Sequence, residues 1–227
     1  NETPVNAKIA FLFPGQGSQV VGMGQDLVQE YAEAKSIFAE LDAACRKPLS
    51  RLCFEGPMEE LTLTVNLQPA VTAVNLACLA ALRRSRVTPW VSAGHSVGEC
   101  AALVSAGVLS ESDALALARK RGELMHRESL RNPGSMLAVM GLSAGAVDEI
   151  VRLVEQEGAL AVANYNTAQQ IVITGEKKSL DRAAELVKQK GGKAIPLNVS
   201  GAWHSPLMKQ AVEEFRDFME GIPFSNP

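Results

Sequence analysis

The sequence is poor in aromatic residues and in histidine. Aromatic side chains make up 5% of the 227 residues, and only three histidines, His95, His126 and His204, are present. Imidazole is the side chain that most often transfers protons near neutral pH. The search for a catalytic histidine is therefore limited to three positions.

The sequence also has few cysteines and a net charge close to zero. The four cysteines, at positions 45, 53, 78 and 100, show neither a CxxC pair nor metal-ligand spacing, so we expect reduced structural thiols, no metal site and a cytoplasmic protein. A net charge of -3 gives no electrostatic argument for binding nucleic acid or a membrane surface. No apolar run approaches the roughly 18 residues of a membrane span, and no signal peptide is evident.

The stretch Gly94-His95-Ser96-Val97-Gly98 is the most informative feature that is present. It follows a short apolar segment and precedes an Ala-rich helix predicted from Val97 to Ser105. This order is typical of a nucleophile elbow, in which a sharp strand-to-helix turn exposes the serine hydroxyl. The pattern alone is only moderately specific, so an inert serine in a glycine-rich turn stays open.

His204 is the best placed of the three histidines to serve as the base. His95 lies inside the elbow with its side chain expected to point away from Ser96, and His126 falls near the end of a predicted helix. His204 instead follows a predicted strand at 194–199, and strand ends are where catalytic groups of open α/β sheets collect. A solvent-exposed loop histidine is the alternative.

A glycine-rich loop near the start of the chain can supply a backbone donor. The predicted strand Lys8–Phe13 runs into Pro14-Gly15-Gln16-Gly17-Ser18-Gln19. Glycines allow a backbone to approach a ligand closely. An amide of this loop and the amide of Val97 could together form an oxyanion hole. An ordinary strand-to-helix loop is the alternative.

Arg121 interrupts an apolar helix face. It shares a face at helical spacing with Ala114, Leu117, Ala118, Leu124 and Met125, whereas Arg119 falls towards the opposite side. A buried guanidinium needs an anion to offset its desolvation. Arginine can hold a carboxylate with two parallel hydrogen bonds, and Gly122 leaves room for close approach. An internal salt bridge is the alternative.

The pattern along the chain predicts an α/β protein with two domains. The large domain, 1–132 and 198–227, includes predicted helices at 26–45 and 69–84. Residues 133–197 have the order βαββαβ, which is that of a ferredoxin-like unit. Inserted between Ser96 and His204, this small domain would place the active site in a cleft between domains.

Five ordered motifs resemble the malonyl-CoA:acyl carrier protein transacylases and the acyltransferase domains of fatty acid and polyketide synthases. They cover nearly the whole chain and are listed here in order: FPGQGSQ at 13–19, QPA at 68–70, GHSVGE at 94–99, RG at 121–122 and GAWHS at 201–205. The resemblance implies a parallel-sheet large domain like that of the α/β-hydrolases and a ferredoxin-like small domain. It also implies malonyl transfer from coenzyme A to the phosphopantetheine thiol of an acyl carrier protein, with no permanently bound cofactor.

Residue roles follow from the resemblance rather than from spacing. Ser96 is implied as the acylated nucleophile and His204 as general base and acid. The amides of Gln16 and Val97 are implied as oxyanion donors, and Arg121 as the carboxylate anchor. The substrate-binding set predicted around Arg121 is Gln68, Trp203 and Asn166; turn chemistry explains Asn166 at least as well.

The sequence departs from the family at two places. Trp203 stands where many members with malonyl preference have Phe, and we expect this bulky side chain to crowd an α-methyl group. The chain ends at Pro227, whereas family members continue with further strands and helices, one of which orients the catalytic histidine. We therefore expect a shortened chain, and the missing initiating Met suggests either a trimmed chain or an excised domain. An acyl hydrolase of the same fold and a noncatalytic carrier-docking module stay open as alternatives.

Overall fold

The computed structural model describes residues 8–227. Contacts within the chain divide it into two compact units. The first runs up to Glu123 and includes Asp217–Pro227, and the second is Leu124–Arg216. These limits differ from the predicted boundaries at 132 and 198, which stay a prediction.

The first unit contains a two-stranded parallel sheet and most of the helices. Its strands are β1, Ala10–Phe13, and β2, Val91–Gly94. Its complete helices are α1 to α6, which span Gln25–Glu30, Ala32–Cys45, Leu49–Glu55, Met58–Thr62, Thr64–Arg84 and Gly98–Ser105. The strands pair in register from Ala10 with Val91 to Phe13 with Gly94. Both strands therefore end at the same edge, where the two glycine-rich motifs begin.

Helix α5 forms the centre of the first unit. By length and composition this helix could cross a membrane, although the sequence analysis predicted no apolar segment of that length. However, 72% of its apolar window is buried inside the protein. Its polar residues Gln68, Thr72 and Asn75 are buried with the apolar ones. Burial of this kind is typical of a core helix.

The helix predicted over 26–45 is wrong in one respect. Tyr31 adopts an extended conformation, with φ -122° and ψ 121°, and separates α1 from α2. Neither glycine nor proline marks the break, so the local sequence carried no signal for it.

The second unit begins within α7, Glu111–Arg131, and ends within α10, Gln210–Glu220. Between them lie β3 (Ser135–Met140), α8 (Ala144–Val154), β4 (Leu160–Thr167), β5 (Gln170–Gly175), α9 (Lys177–Gln189) and β6 (Lys193–Pro196). The sheet order is β4-β5-β3-β6, with all neighbours antiparallel. The order βαββαβ predicted from the sequence is thus the order observed.

Alternating side chains give this sheet two apolar faces. Leu137 and Val139 of β3 pack with α8 and α9, where Val147, Ile150, Val151 and Val154 repeat at helical spacing. Met136 and Ala138 point to the opposite face and pack with Met125 and Trp203. One short strand thus anchors the unit's helices on one face and the Trp203 segment on the other.

Candidate active site

Ser96 occupies a strained turn between β2 and α6. Its φ is 54°, a left-handed conformation that residues with a side chain rarely adopt. The neighbouring glycines are required by space, because a Cβ on Gly94 would lie 2.1 Å from the carbonyl carbon of Gly98, and a Cβ on Gly98 would lie 2.2 Å from the carbonyl oxygen of Phe13. The G-x-S-x-G pattern therefore forms the tight turn that a nucleophile elbow needs.

The loop after β1 packs directly against this turn. The His95 amide donates to the Phe13 carbonyl at 2.9 Å. A Cβ on Gly15 would lie 2.3 Å from the His95 carbonyl oxygen, so only glycine fits there. Asn75 of α5 donates from Nδ2 to the Pro14 carbonyl at 3.0 Å, which fixes the loop from the helix side. Gln16 is half-buried and follows these fixed residues.

Val97 begins the helix that follows Ser96. It is buried, has helical φ and ψ of -62° and -21°, and stands at the N-cap of α6. Amides at a helix start have no partner within the helix and carry the positive end of its dipole. The first unit thus brings together Ser96, the Val97 amide and the loop containing Gln16.

Arg121 lies beside the serine in the same unit. Its Nη2 donates to Ser96 Oγ at 3.0 Å, and its Nη1 donates to Gln68 Oε1. Gly122 makes this approach possible, because a Cβ there would lie 2.9 Å from the Thr64 carbonyl oxygen on α5. The small residue lets α7 pack closely on α5, and Arg121 then meets Gln68.

Within residues 8–227, Arg121 is hydrogen-bonded to no carboxylate, and the charge of Glu99 acts on it without a hydrogen bond. Both of its acceptors, Gln68 and Ser96, are neutral, whereas nearby Arg119 pairs with Glu123 at 2.6 Å. Burial lowers the pKa of Arg121, which nevertheless stays a cation at physiological pH. Gln68 is buried, and its Nε2 has no hydrogen-bond partner in the described chain. A buried donor and a half-buried cation thus lie together next to Ser96.

His204 belongs to the second unit, where it is exposed and has a φ of 59°. Ser205 fixes the backbone on either side, since its hydroxyl donates to the Ala202 carbonyl at 2.6 Å and accepts from the Leu207 amide at 3.2 Å. Trp203, which precedes His204, is only 3% exposed, and its indole Nε1 has no hydrogen-bond partner in the described chain. His204 therefore lies in a tight turn that the Ser205 hydroxyl stabilises and that the buried Trp203 side chain attaches to the core.

Asn166 lies near the hairpin between β4 and β5. It is exposed, and its Nδ2 donates to Gln170 Oε1 at 2.9 Å. Its predicted contact with substrate stays a prediction.

Asn75, by contrast, was missed by the sequence analysis, although Gln68, Thr72 and Asn75 recur at helical spacing on an otherwise apolar helix. That interruption was the available signal.

Neither metal ligation nor a disulfide is seen among the described residues. No group of three His, Cys, Asp or Glu side chains is placed to hold a metal ion in residues 8–227. The four cysteines are free thiols. Burial raises the pKa of Cys100 to about 11, so this thiol in the elbow helix α6 is a poor nucleophile at neutral pH.

Comparison with known proteins decides the family. The sequence model of the acyl transferase domain matches residues 10–226. The chain belongs to this acyl transferase family. A malonyl CoA-acyl carrier protein transacylase of Bacillus subtilis strain 168 is 47% identical to this acyl transferase over 216 residues, which are 94% of this chain and 68% of that protein.

Solved structures agree with this assignment. An acyl carrier protein S-malonyltransferase of Vibrio cholerae has a TM-score of 0.91 at 38% identity, and the match covers 97% of this acyl transferase and 73% of that chain. A malonyl-transacylase solved in complex with its type II polyketide synthase acyl carrier protein has a TM-score of 0.91 at 36% identity, covering 96% and 72%. The α/β fold with a parallel sheet and a separate antiparallel sheet is shared with these enzymes, which confirms the resemblance inferred from the five motifs.

Proposed function

We propose that this acyl transferase moves a malonyl group from coenzyme A to the phosphopantetheine thiol of an acyl carrier protein. The relatives at 36–47% identity that carry this activity in their names support the reaction. The malonyl-transacylase solved with its carrier protein supports the acceptor. The fatty acid and polyketide pathways both use such a transfer.

The pairing of Arg121 with two neutral acceptors carries this proposal. A cation in buried surroundings next to the nucleophile needs a negative charge, and the free carboxylate of malonyl supplies one. The guanidinium can bind that carboxylate with two hydrogen bonds, and the unpaired Nε2 of Gln68 is available as a further donor. Acetyl and longer neutral acyl groups lack the matching charge.

The first half of the reaction forms an acyl-enzyme. His204 removes the proton from the Ser96 hydroxyl as Oγ attacks the thioester carbonyl. The tetrahedral oxyanion is stabilised by the amides of Gln16 and Val97. The carbon–sulfur bond then breaks, the imidazolium returns its proton to the departing coenzyme A thiolate, and malonyl remains on Ser96 as an ester.

The second half repeats these steps with a different thiol. His204 accepts the proton of the carrier's phosphopantetheine thiol, whose sulfur attacks the seryl ester. The carbon–oxygen bond to Ser96 breaks, and Oγ recovers its proton from the imidazolium. The enzyme is thereby restored, and the kinetics are expected to be ping-pong.

The finer structural assignments are part of this proposal. The first unit corresponds to the α/β-hydrolase-like domain, and the sheet order β4-β5-β3-β6 with its βαββαβ connection supports a ferredoxin-like second unit. No permanent cofactor is required, since the acyl group arrives activated as a thioester. We also propose a cytoplasmic location, which the four free thiols support.

Selectivity between acyl groups tests the proposal. Arg121→Ala should reduce kcat/KM for malonyl-CoA by about 100-fold or more, because each hydrogen bond to a charged group is worth about 1.5–3 kcal/mol. Its rate of acylation by acetyl-CoA should change much less. The measurement is single-turnover acylation of Ser96 with each thioester.

Arg119→Ala is the matched control. This variant removes an arginine of the same helix that pairs with Glu123 rather than with Ser96 or Gln68. Both thioesters should react with it as with the unmodified chain. Equal loss of malonyl and acetyl transfer in Arg121→Ala would contradict the anchor role, and release of free malonate without transfer would indicate a hydrolase.

A further inference from the structure

Glu128 on α7 is a fully buried carboxylate for which the proposed reaction has no use. Its exposed fraction is 0%. Arg127 Nε donates to Glu128 Oε1 at 2.9 Å, Arg131 Nη1 approaches the same oxygen at 3.4 Å, and Asn132 Nδ2 approaches Oε2 at 3.5 Å. Burying a carboxylate is costly unless donors surround it, so this arrangement holds the ends of Arg127 and Asn132 in fixed directions.

Two of these donors also hold the chain that follows His204. Asn132 Nδ2 donates to the Leu207 carbonyl at 3.1 Å. Arg127 Nη1 donates to Glu214 Oε2 on α10. The segment from 207 to 214 is therefore tied at both ends to side chains that Glu128 orients. All of these residues lie within the second unit.

Close backbone packing fixes the other side of His204. A Cβ on Gly201 would lie 2.8 Å from Ser129 Cβ on α7, and it would also overlap the Trp203 ring at 2.5 Å. A Cβ on Gly134 would lie 2.7 Å from Ala202 Cβ. Residues 201–203 thus rest on the end of α7 and the start of β3, just before His204.

His204 itself is in a conformation that needs such support. Its φ of 59° belongs to the left-handed region, a strained conformation that a residue with a side chain keeps only where the surrounding structure holds it. The backbone that carries this exposed imidazole is held by the tied segments on both sides.

We propose that Asn132, oriented by Glu128 together with Arg127, is a positioning residue that fixes the direction of the His204 imidazole through its hydrogen bond to Leu207. This inference rests on the proposed role of His204 as the base. None of the three residues touches substrate in this account. They act by limiting the positions that His204 can adopt, and a misplacement of about 1 Å can reduce a rate by roughly 100-fold.

The test compares two variants of Asn132 with a matched control. Asn132→Ala deletes the donor, and Asn132→Asp keeps the shape but cannot donate to the Leu207 carbonyl. Arg131→Ala removes the most exposed of Glu128's partners without touching residues 201–214. Single-turnover malonylation of Ser96 is followed by quenched-flow mass spectrometry, which separates the rate constant from the reactive fraction.

The result expected is a fall of about tenfold in the acylation rate constant of both Asn132 variants, with KM for malonyl-CoA within twofold, and no change in Arg131→Ala. A second readout is the imidazole NMR spectrum. With only three histidines in the chain, the His204 signal is assigned from a His204→Gln variant. It should shift or broaden in the Asn132 variants, while His95 stays unchanged.

Different outcomes overturn different parts of the account. An unmodified chain that forms no malonyl adduct contradicts the proposed function before Asn132 is considered. A normal adduct in the unmodified chain, with unchanged rate constant and unchanged His204 signal in both Asn132 variants, overturns the positioning role. A lower melting temperature with an unchanged rate constant has the same meaning, because it shows a contribution to stability alone.

Discussion

Trp203 shows at the residue scale how the structure changes the meaning of a sequence motif. The sequence analysis treated it as a side chain that crowds the substrate. In the structure it is 3% exposed and packs with Met125, Met136 and Val172. Its large area is therefore committed to the core of the second unit, and its role in selectivity stays a prediction.

Replacement of Trp203 tests whether its ring belongs to the core of the second unit. Trp203→Phe removes the unpaired indole N–H but keeps a large aromatic ring in the core. The free energy of unfolding should therefore change by less than about 1.5 kcal/mol. Trp203→Ser should lower the free energy of unfolding by about 3–5 kcal/mol because it leaves a cavity in the core. Urea unfolding measures both. If Trp203→Ser is as stable as the unmodified chain, the ring is not part of the core.

The cysteines give a prediction about pH. Burial raises the pKa of Cys45 and Cys100 to about 11 and that of Cys53 to about 12, and it also raises the pKa of Cys78. At pH 8 a thiol with a pKa of 11 has a thiolate fraction more than about 100-fold below that of an ordinary cysteine.

Alkylation by iodoacetamide at pH 8 should therefore modify Cys78 first, since it is the exposed one of the four. The reaction of the other three should accelerate about tenfold with each rise of one pH unit until their pKa is approached, provided that the chain stays folded. Peptide mass spectrometry identifies the modified thiol. Rapid labelling of Cys100 at pH 7 would contradict the raised pKa of this buried thiol.

Asn75 gives a test of the loop that carries Gln16. Asn75→Ala leaves the Pro14 carbonyl without its donor, which should cost about 1–3 kcal/mol of stability. It should also slow acylation of Ser96, by roughly tenfold, because the oxyanion donors lose their fixed position. Thr72→Val is the matched control, since the Thr72 hydroxyl donates to the Gln68 carbonyl within α5 and not to the loop that carries Gln16. Equal rates in both variants would contradict a link between Asn75 and the oxyanion loop.

At the scale of elements, the elbow is where sequence and structure agree most closely. A strand, a G-x-S-x-G turn and an Ala-rich helix were predicted, and β2, the turn and α6 follow in that order. The agreement arises because the constraint is local: a strained serine needs glycines at fixed offsets. The break at Tyr31 lacked a local signal and was missed.

Substitutions at glycine test the elbow directly. Gly98→Ala should destabilise the chain by more than about 3 kcal/mol, since its Cβ would lie 2.2 Å from the Phe13 carbonyl oxygen and backbone must move. Gly145→Ala on α8 has open space and should stabilise by about 0.5–1 kcal/mol. Thermal unfolding gives both values. A Gly98→Ala variant with unchanged stability would contradict the tight turn.

At the scale of the whole molecule, residue type and spacing carry more information about the candidate site than about long-range packing. Ser96 and Arg121 carry signals in residue type and spacing, and the structure brings them within one hydrogen bond. The contribution of Gly122 needed coordinates, because its neighbours Thr64 and Gln68 are more than fifty positions away in the chain. Long-range packing of this kind leaves no local pattern.

The measurement that tests the central claim most directly is the intact mass of this chain after incubation with malonyl-CoA, beside that of its Ser96→Ala variant. The account predicts a single malonyl adduct on the unmodified chain, localised to Ser96 by peptide mapping, and none on the variant. Transfer of that adduct to a phosphopantetheinylated acyl carrier protein should then restore the original mass. An adduct that persists in Ser96→Ala, or a folded chain that never acquires one, would contradict the account.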